Sequence, residues 1–202
     1  MKKNFIFDFG WVLVKFDSRY MTEQYIKNPT DCEMAHEVVF DRLYWDKIDA
    51  GTITDDEVKK GICSRLPQKL WDAACKTYDN WYYNIPFIDG MVDLVKDIKK
   101  AGGKLFVLSN ISIGFAENYK NVPQIRELFS LFDGLVFSGP LHITKPNAEI
   151  FEHLLSKYSL NASDTMFVDD SEKNVNGANA VGIEGYLFDG DAEKLRKYIF
   201  GE

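Results

Sequence analysis

Cysteines are scarce and long hydrophobic runs are absent from this sequence of 202 residues. Its three cysteines include no Cys-x-x-Cys pair, and an odd, unpaired set is typical of a reducing compartment. No apolar stretch approaches the roughly 18 residues that a membrane-spanning helix needs. The basic start of the chain precedes a hydrophobic run, but Asp8 interrupts that run and no small-residue cleavage site follows, so we predict no signal peptide. We therefore expect a soluble, cytoplasmic protein with no membrane partner.

Positive charge is also in deficit, since 24 Lys and Arg residues against 31 Asp and Glu residues give a formal net charge of −7. Because an acidic surface repels a phosphate backbone and no basic stripe is present, we expect no nucleic-acid partner. The sequence has no P-loop, no dinucleotide-binding glycine turn and no Ser-His-Asp arrangement, and its three histidines are not at metal-ligand spacing. The content of 46% hydrophobic and 27% charged residues is typical of a globular protein. The length allows one domain with a smaller insertion.

Five short apolar runs are typical of strands that are buried on both faces of a sheet. They lie at 4–9, 104–109, 134–138, 165–169 and 184–188. Between them, apolar residues recur at helical spacing over 89–101, 123–130, 147–158, 171–181 and 191–200. Strands that alternate with helices indicate a parallel sheet with helices on both sides. We therefore predict a Rossmann-like, doubly wound α/β fold.

Residues 16–86 break this alternation, because they contain helical patterns but no convincing strand. The patterns lie near 18–27, 30–41, 54–65 and 68–82, and Thr54 with Glu57 is typical of a capping box at a helix start. We predict that 16–86 form an α-helical domain over the ligand edge of the sheet, called the helical cap below. Residues 1–15 and 87–202 then form the core domain. Three of the four tryptophans lie in the helical cap, where packing between helices is favoured over stacking on a sugar ring.

Polar side chains stand where the predicted strands end. Asp8 follows the first strand, Ser109 and Asn110 end the second, Lys145 comes shortly after the third, and Asp169-Asp170 end the fourth. In an open parallel sheet, ligands bind outside the carboxyl ends of the strands, so we expect these side chains to converge. Carboxylates that are brought together repel one another unless a cation joins them, and oxygen-only donors suit Mg²⁺. Lys145 and the Ser109 hydroxyl would then hold an anion beside the metal.

Four segments carry a resemblance to a known family. They are 7–13 (Phe-Asp-Phe-Gly-Trp-Val-Leu), 107–110 (Val-Leu-Ser-Asn), 145–146 (Lys-Pro) and 167–174 (Phe-Val-Asp-Asp-Ser-Glu-Lys-Asn). In this order they resemble the four motifs of the haloacid dehalogenase superfamily, and the helical insertion after the first resembles its members with an α-helical cap. Within that superfamily, the chain looks most like the bacterial α-D-glucose-1-phosphate phosphatase branch.

The resemblance implies a nucleophile and a metal site. Asp8 would attack phosphorus and form an aspartyl-phosphate that water later cleaves. Mg²⁺ would be held by Asp8, by the backbone carbonyl of Gly10 and by Asp170. Asp169 would reach the metal through water and orient Lys145, with Asn174 in support.

The same resemblance implies the phosphate-binding residues. Ser109, the backbone of Asn110 and Lys145 would contact the phosphoryl oxygens and stabilise charge in the transition state. Trp11, in the tight loop beside the nucleophile, would shape the pocket.

Gly10 departs from the family pattern, because most phosphatases of the superfamily have an aspartate there that protonates the leaving oxygen. Loss of a general acid typically costs about 10²–10⁴-fold in rate, so activity can survive, especially on anomeric sugar phosphates. Asp17, at the entry to the helical cap, is the predicted replacement acid.

These inferences predict a Mg²⁺-dependent, monomeric phosphatase that hydrolyses a small phosphorylated metabolite, such as the sugar phosphate glucose 1-phosphate. One alternative is a non-catalytic protein that binds a phosphometabolite, in which the missing acid marks decayed chemistry. Another is a 2-haloacid dehalogenase, which Asp169 and Asp170 disfavour because they would repel a carboxylate substrate and a halide. A phosphomutase ranks lower because it normally uses an acid–base residue at position 10.

Overall fold

In the computed structural model, which describes residues 2–83 and 85–201, the core is a five-stranded parallel sheet. The strand order is β3-β2-β1-β4-β5. The strands are β1 (Asn4–Phe7), β2 (Lys104–Ser109), β3 (Gly134–Phe137), β4 (Thr165–Asp169) and β5 (Glu184–Leu187). All five lie where the sequence predicts them, and the predicted α/β fold class is confirmed.

Helices cover both faces of the sheet. Alternate residues of each buried strand point to opposite faces, so both faces are apolar and are buried by packing against helices. Phe5 and Phe7 of β1 belong to one apolar cluster, whereas Ile6 between them belongs to the other. The helices of the core are α6 (Met91–Lys100), α7 (Ile113–Asn118), α8 (Pro123–Phe129), α9 (Ser138–Leu141), α10 (Ala148–Lys157), α11 (Glu172–Ala180) and α12 (Ala192–Phe200). Of these, α7 and the single turn α9 are not predicted from the sequence.

Among its described residues, the segment between β1 and α6 contains five α-helices. They are α1 (Ser18–Glu23), α2 (Pro29–Val39), α3 (Arg42–Asp49), α4 (Asp55–Arg65) and α5 (Trp71–Asn80). The predicted capping box is present, since Thr54 and Glu57 exchange hydrogen bonds at the start of α4. The sequence patterns miss α3, which has only eight residues and begins at the side chain of Asp41.

The helical segment has an apolar cluster of its own, which runs from Ile26 to Tyr78 and shares no buried residue with the two clusters of the sheet. The chain leaves the sheet and returns to it at adjacent positions, because the amide of Lys15 donates to the carbonyl of Pro86 at 2.8 Å. The division at 16–86 stays a prediction. Among the residues described here, no helix is long and apolar enough to cross a membrane.

Candidate active site

A cavity of about 500 Å³ lies at the carboxyl edge of the sheet and extends to the helical cap. It is lined by eight of the residues that the sequence singles out: Asp8, Gly10, Trp11, Ser109, Asn110, Lys145, Asp170 and Asn174. The structure therefore brings the strand-end residues together, as the topology of a parallel sheet predicts.

Asp8 stands directly after β1 and is 9% exposed. Its Oδ1 atom accepts a hydrogen bond from the amide of Phe9 at 2.6 Å and lies 2.9 Å from Nζ of Lys145. Burial raises the pKa of Asp8, and the ammonium of Lys145 opposes this rise. One buried carboxylate oxygen is thus held beside a fixed positive charge.

Lys145 is buried between two carboxylates. Its Nζ atom donates to Oδ2 of Asp169 at 2.7 Å, in addition to the contact with Asp8. Burial lowers the pKa of Lys145, but the charges of Asp8 and Asp169 outweigh it and the pKa lies above its usual value. The backbone of Lys145 is fixed as well, because its amide and its carbonyl are both hydrogen-bonded to the side chain of Asn110, at 2.8 and 3.0 Å.

Asp169 does not line the cavity but lies beneath it, fully buried. Oδ1 accepts hydrogen bonds from the amide of Ser171 at 2.8 Å and from Nδ2 of Asn174 at 3.0 Å, while Oδ2 is bonded to Lys145. These bonds fix the carboxylate of Asp169 and, through it, the position of the lysine. The contacts expected among Asp169, Lys145 and Asn174 are present, and the catalytic roles of these residues stay predictions.

Asp8, Asp169 and Asp170 form an acidic triad, since one carboxylate oxygen from each lies within 4.8 Å of the others. Partial desolvation and the charge of Asp169 both raise the pKa of Asp170, the exposed member of the triad. Lys145 supplies one positive charge against these three carboxylates. Oxygen donors with excess negative charge fit a divalent cation such as Mg²⁺.

Gly10 leaves open space close to Asp8. A Cβ atom at this position would meet no heavy atom within 4 Å, so packing does not require glycine here. Crowding therefore does not explain why this chain has glycine at position 10 instead of the aspartate that the family pattern predicts.

Asp17 is not brought into the cavity. Its side chain accepts a hydrogen bond from the amide of Tyr20 at 3.0 Å, as the N-cap residue of α1. An aspartate before a helix is common for this reason alone. The structure thus gives Asp17 a local function at a helix start, and its predicted role as an acid has no contact in support.

Aromatic side chains form part of the wall of the cavity. Trp11 is 43% exposed, and its φ of 56° lies in the left-handed region that bulky residues rarely occupy. The cavity is also lined by Phe9, Phe16, Phe40, Trp45 and Trp81. Trp45 also stacks on Phe40 with ring centroids 5.4 Å apart, so the same ring packs between helices and faces the cavity. The two interpretations of the tryptophans therefore do not exclude each other.

Asp49, the last residue of α3, is a cavity residue that the sequence reasoning missed. Its Oδ1 atom is buried and has no hydrogen-bond partner among the residues that the structure describes. A signal was present in the sequence, since an aspartate directly precedes the turn at Gly51 in the segment expected to face the ligand edge. Without α3, nothing in the pattern directs that side chain inward.

Comparison with known proteins places the chain among the hydrolases, which confirms the predicted enzyme class. Residues 35–182 match the haloacid dehalogenase-like hydrolases, and the chain belongs to this family. The resemblance drawn from the four motifs is thus confirmed for the family, whereas the glucose-1-phosphate phosphatase branch stays a prediction.

Two curated relatives carry specific names. The sesquiterpene phosphatase astK of Aspergillus oryzae is 26% identical over 180 residues, which cover 89% of this chain and 86% of that protein. The D-ribitol-5-phosphate phosphatase of Bacteroides thetaiotaomicron is 25% identical over 192 residues, which cover 92% of this chain and 91% of that protein.

A solved structure of similar fold contains magnesium. It is a haloacid dehalogenase family enzyme of Bacteroides thetaiotaomicron in complex with magnesium and inorganic phosphate, and it matches with a TM-score of 0.68. It is 23% identical and covers 96% of this chain and 99% of that chain, so the likeness shows the fold. In the present chain, the acidic triad could bind a metal of this kind.

Proposed function

We propose that this protein is a Mg²⁺-dependent phosphomonoesterase that acts on a small phosphorylated metabolite through an aspartyl-phosphate on Asp8. The observation that carries the proposal is the pairing of Asp8 with Lys145 at 2.9 Å, inside an oxygen-only acidic triad at the edge of the cavity. A protein that only binds a phosphometabolite does not require a buried aspartate that is paired with a lysine in this way. The negative charges of Asp169, which is buried, and of Asp170, which is exposed, also disfavour a dehalogenase, whose substrate and leaving group are anions.

The metal would be held by Asp8, by the carbonyl of Gly10 and by Asp170, with Asp169 in contact through water. When bound, Mg²⁺ neutralises charge on the phosphoryl oxygens and on the carboxylates. The fit rests on three carboxylates whose oxygens lie within 4.8 Å of one another and which Lys145 alone does not balance.

The residues of the chain carry the chemistry in two steps. An oxygen of Asp8 attacks phosphorus, and the bond from phosphorus to the ester oxygen breaks. Lys145, the Ser109 hydroxyl and the backbone of Asn110 stabilise the charge that develops on the phosphoryl oxygens. Water then attacks the phosphorus of the aspartyl-phosphate, which releases inorganic phosphate and restores the carboxylate of Asp8.

A sugar phosphate such as glucose 1-phosphate is the first substrate class. An anomeric leaving group needs less protonation than an ordinary alcohol, which suits a site with glycine at position 10. We further propose that the helical cap covers this substrate, and that the protein acts as a cytoplasmic monomer.

The aromatic wall of the cavity favours a second class, apolar phosphate esters. Aromatic side chains that line the cavity, among them Trp11, Phe40 and Trp45, offer apolar surface to such an ester. One relative is named a sesquiterpene phosphatase, which makes a terpenyl monophosphate the matching candidate.

The test is release of inorganic phosphate from glucose 1-phosphate, ribitol 5-phosphate, farnesyl monophosphate and 4-nitrophenyl phosphate, with Mg²⁺ and with EDTA. We expect Mg²⁺-dependent release that Asp8→Asn reduces by roughly 10⁴-fold or more, since loss of a nucleophile removes the main path. Asp72→Asn is the matched control, because Asp72 is exposed on α5 and pairs with Lys76 outside the cavity. Release that EDTA or Asp8→Asn leaves unchanged would refute the proposal.

A further inference from the structure

A phosphatase with this site lacks a proton donor at its usual place. Gly10 has no side chain, and the space beside it is open. The acids nearest the nucleophile are engaged elsewhere, because Asp169 is bonded to Lys145 and Asp170 belongs to the acidic triad. Alkyl esters release poor leaving groups, so their hydrolysis at neutral pH needs a donor from another part of the cavity.

Asp49 reaches the cavity from the helical cap. The residue lines the same cavity as Asp8, and its carboxyl receives no hydrogen bond from the residues that the structure describes. An unpartnered carboxylate oxygen that is shielded from water is costly to keep charged. The group is thus well suited to hold a proton that it can give away.

The backbone around Asp49 is fastened to the core. The Ser138 hydroxyl donates to the carbonyl of Asp49 at 2.6 Å and accepts from the amide of Ile111 at 2.9 Å. Gly51 follows with a φ of 65°, and a Cβ atom there would lie 2.5 Å from the carbonyl oxygen of Gly139. This close approach needs glycine, and it holds the end of α3 against the strand-end loops of the sheet.

The charges that face Asp49 come from several elements. They are Arg42 and Asp46 on α3, Asp8 after β1, and Lys145 from the core. Two further titratable groups lie nearby: Tyr78 on α5, which the charge of Asp49 affects, and His142, whose Nδ1 atom is hydrogen-bonded to the carbonyl of Ala50. Burial is the largest effect, and together with the negative charges of Asp46 and Asp8 it raises the pKa of Asp49 from 3.8 to about 7, against the opposing charges of Arg42 and Lys145. A general acid works best with a pKa close to the pH at which it operates.

We propose that Asp49 is the general acid and general base of this site, in place of the residue that Gly10 lacks; this inference rests on the proposed phosphatase function. In the first step, Asp8 bonds to phosphorus, the bond to the ester oxygen breaks, and the proton of Asp49 passes to that oxygen to give the free alcohol. In the second step, the Asp49 carboxylate takes a proton from the attacking water as its oxygen bonds to phosphorus. The bond between Asp8 and phosphorus breaks, inorganic phosphate leaves, and Asp49 is protonated again.

Two other carboxylates serve as comparisons. Asp17 is the acid that the sequence predicts, but its side chain is committed to the start of α1. Asp46 lies on the same helix as Asp49 and also lines the cavity, yet its carboxylate is exposed and paired with Arg42 at 3.0 Å. The variants Asp17→Asn and Asp46→Asn therefore make the same chemical change as Asp49→Asn in different settings.

The experiment compares two substrates that differ in their need for a proton. 4-Nitrophenyl phosphate releases a stable anion, whereas the alkyl phosphate that wild type hydrolyses fastest does not. We expect Asp49→Asn to lower kcat/KM on the alkyl ester by about 10²–10⁴-fold and on the nitrophenyl ester by less than about tenfold. Because the second step also loses its base, kcat on the nitrophenyl ester should fall and a burst of nitrophenol should appear. Asp49→Glu, which restores a carboxyl, should recover part of the alkyl activity.

The outcomes separate this inference from the proposed function. If Asp49→Asn lowers kcat/KM equally on both substrates, the role of Asp49 is overturned and the proposed phosphatase function is not affected. The same holds if Asp17→Asn or Asp46→Asn lowers kcat/KM on the alkyl ester alone. If Asp49→Asn does not fold, the pH profile of wild type decides: alkyl activity that stays constant from pH 6 to about pH 9 overturns the role. Wild type with no Mg²⁺-dependent release from either substrate would overturn the proposed function itself.

Discussion

Replacement of Asp49 by asparagine is expected to raise the free energy of unfolding, by an amount that depends on pH. The carboxyl has a pKa near 3.8 in the unfolded chain and about 7 in the folded protein, where burial disfavours its charge. Between these two values the folded protein binds more protons than the unfolded chain does. The free energy of unfolding of wild type therefore falls as the pH rises through this interval, whereas that of the variant does not fall through this group.

The size of the effect follows from the same two values. Each tenfold change in proton affinity is worth about 1.4 kcal/mol, so the rise from 3.8 to about 7 sets an upper limit of about 4 kcal/mol. Asp49 is half-buried and faces a wet cavity, so we expect solvent screening to leave about 2 kcal/mol at pH 8. For a chain of this length, that corresponds to about 4–8 °C in Tm.

Urea denaturation at a series of pH values between about 4 and 8, in EDTA, measures this difference. Wild type and Asp49→Asn should be similar at the acid end and diverge toward pH 8, where the variant is more stable. Asp46→Asn, which removes an exposed, ion-paired carboxylate and its repulsion of Asp49, should show a much smaller divergence. A stability difference that does not change with pH, or a variant that is less stable at pH 8, would refute the conclusion that burial disfavours the charge of Asp49.

Three further perturbations test the rest of the site. Lys145→Met should destabilise the protein by about 3–5 kcal/mol in urea denaturation, because it leaves Asp8 and Asp169 buried without a counter-charge; a loss below about 1 kcal/mol would contradict the buried pairing. Gly51→Ala should lower Tm and the activity on alkyl esters together, since the new Cβ atom meets the carbonyl of Gly139 and the left-handed φ disfavours alanine; unchanged thermal denaturation and kinetics would show that the contact is not needed. Chelation by EDTA should abolish phosphate release and re-addition of Mg²⁺ should restore it, and release that persists in EDTA would exclude the metal from the reaction.

The core of the site could be predicted from the sequence because it depends on short-range features. A buried parallel strand determines where its last residue lies, so the apolar runs before Asp8 and Asp169 were enough to place both carboxylates at one edge. The same holds for Ser109, Asn110 and Lys145, which follow neighbouring strands in the sheet. No knowledge of how the helical cap sits was required.

The contribution of the helical cap could not be predicted in the same way. Helix α3 is short, and its direction depends on contacts between distant parts of the chain, such as that of Ser138 with Asp49, 89 residues apart. Asp17 was the more visible acid in the sequence, yet an aspartate at a helix start has a sufficient local explanation in the hydrogen bond to Tyr20. Residues that the sheet positions can be predicted from sequence patterns. Residues whose position depends on how the helices pack on the sheet cannot.

The Ser138 hydroxyl, which joins the backbone at Asp49 to the backbone at Ile111, has a consequence for selectivity. If Asp49 supplies the proton, the donor is in place only when the helical cap is packed on the sheet, whereas Asp8 and Lys145 belong to the segments that follow the strands of the core. An ester too bulky to let the helices seat would meet the nucleophile without the donor. Such a compound could still lose a phenol that departs as an anion, but it could not lose an alcohol. The enzyme would then hydrolyse bulky esters only when their leaving group is acidic, whereas it would hydrolyse compact esters of alcohols as well.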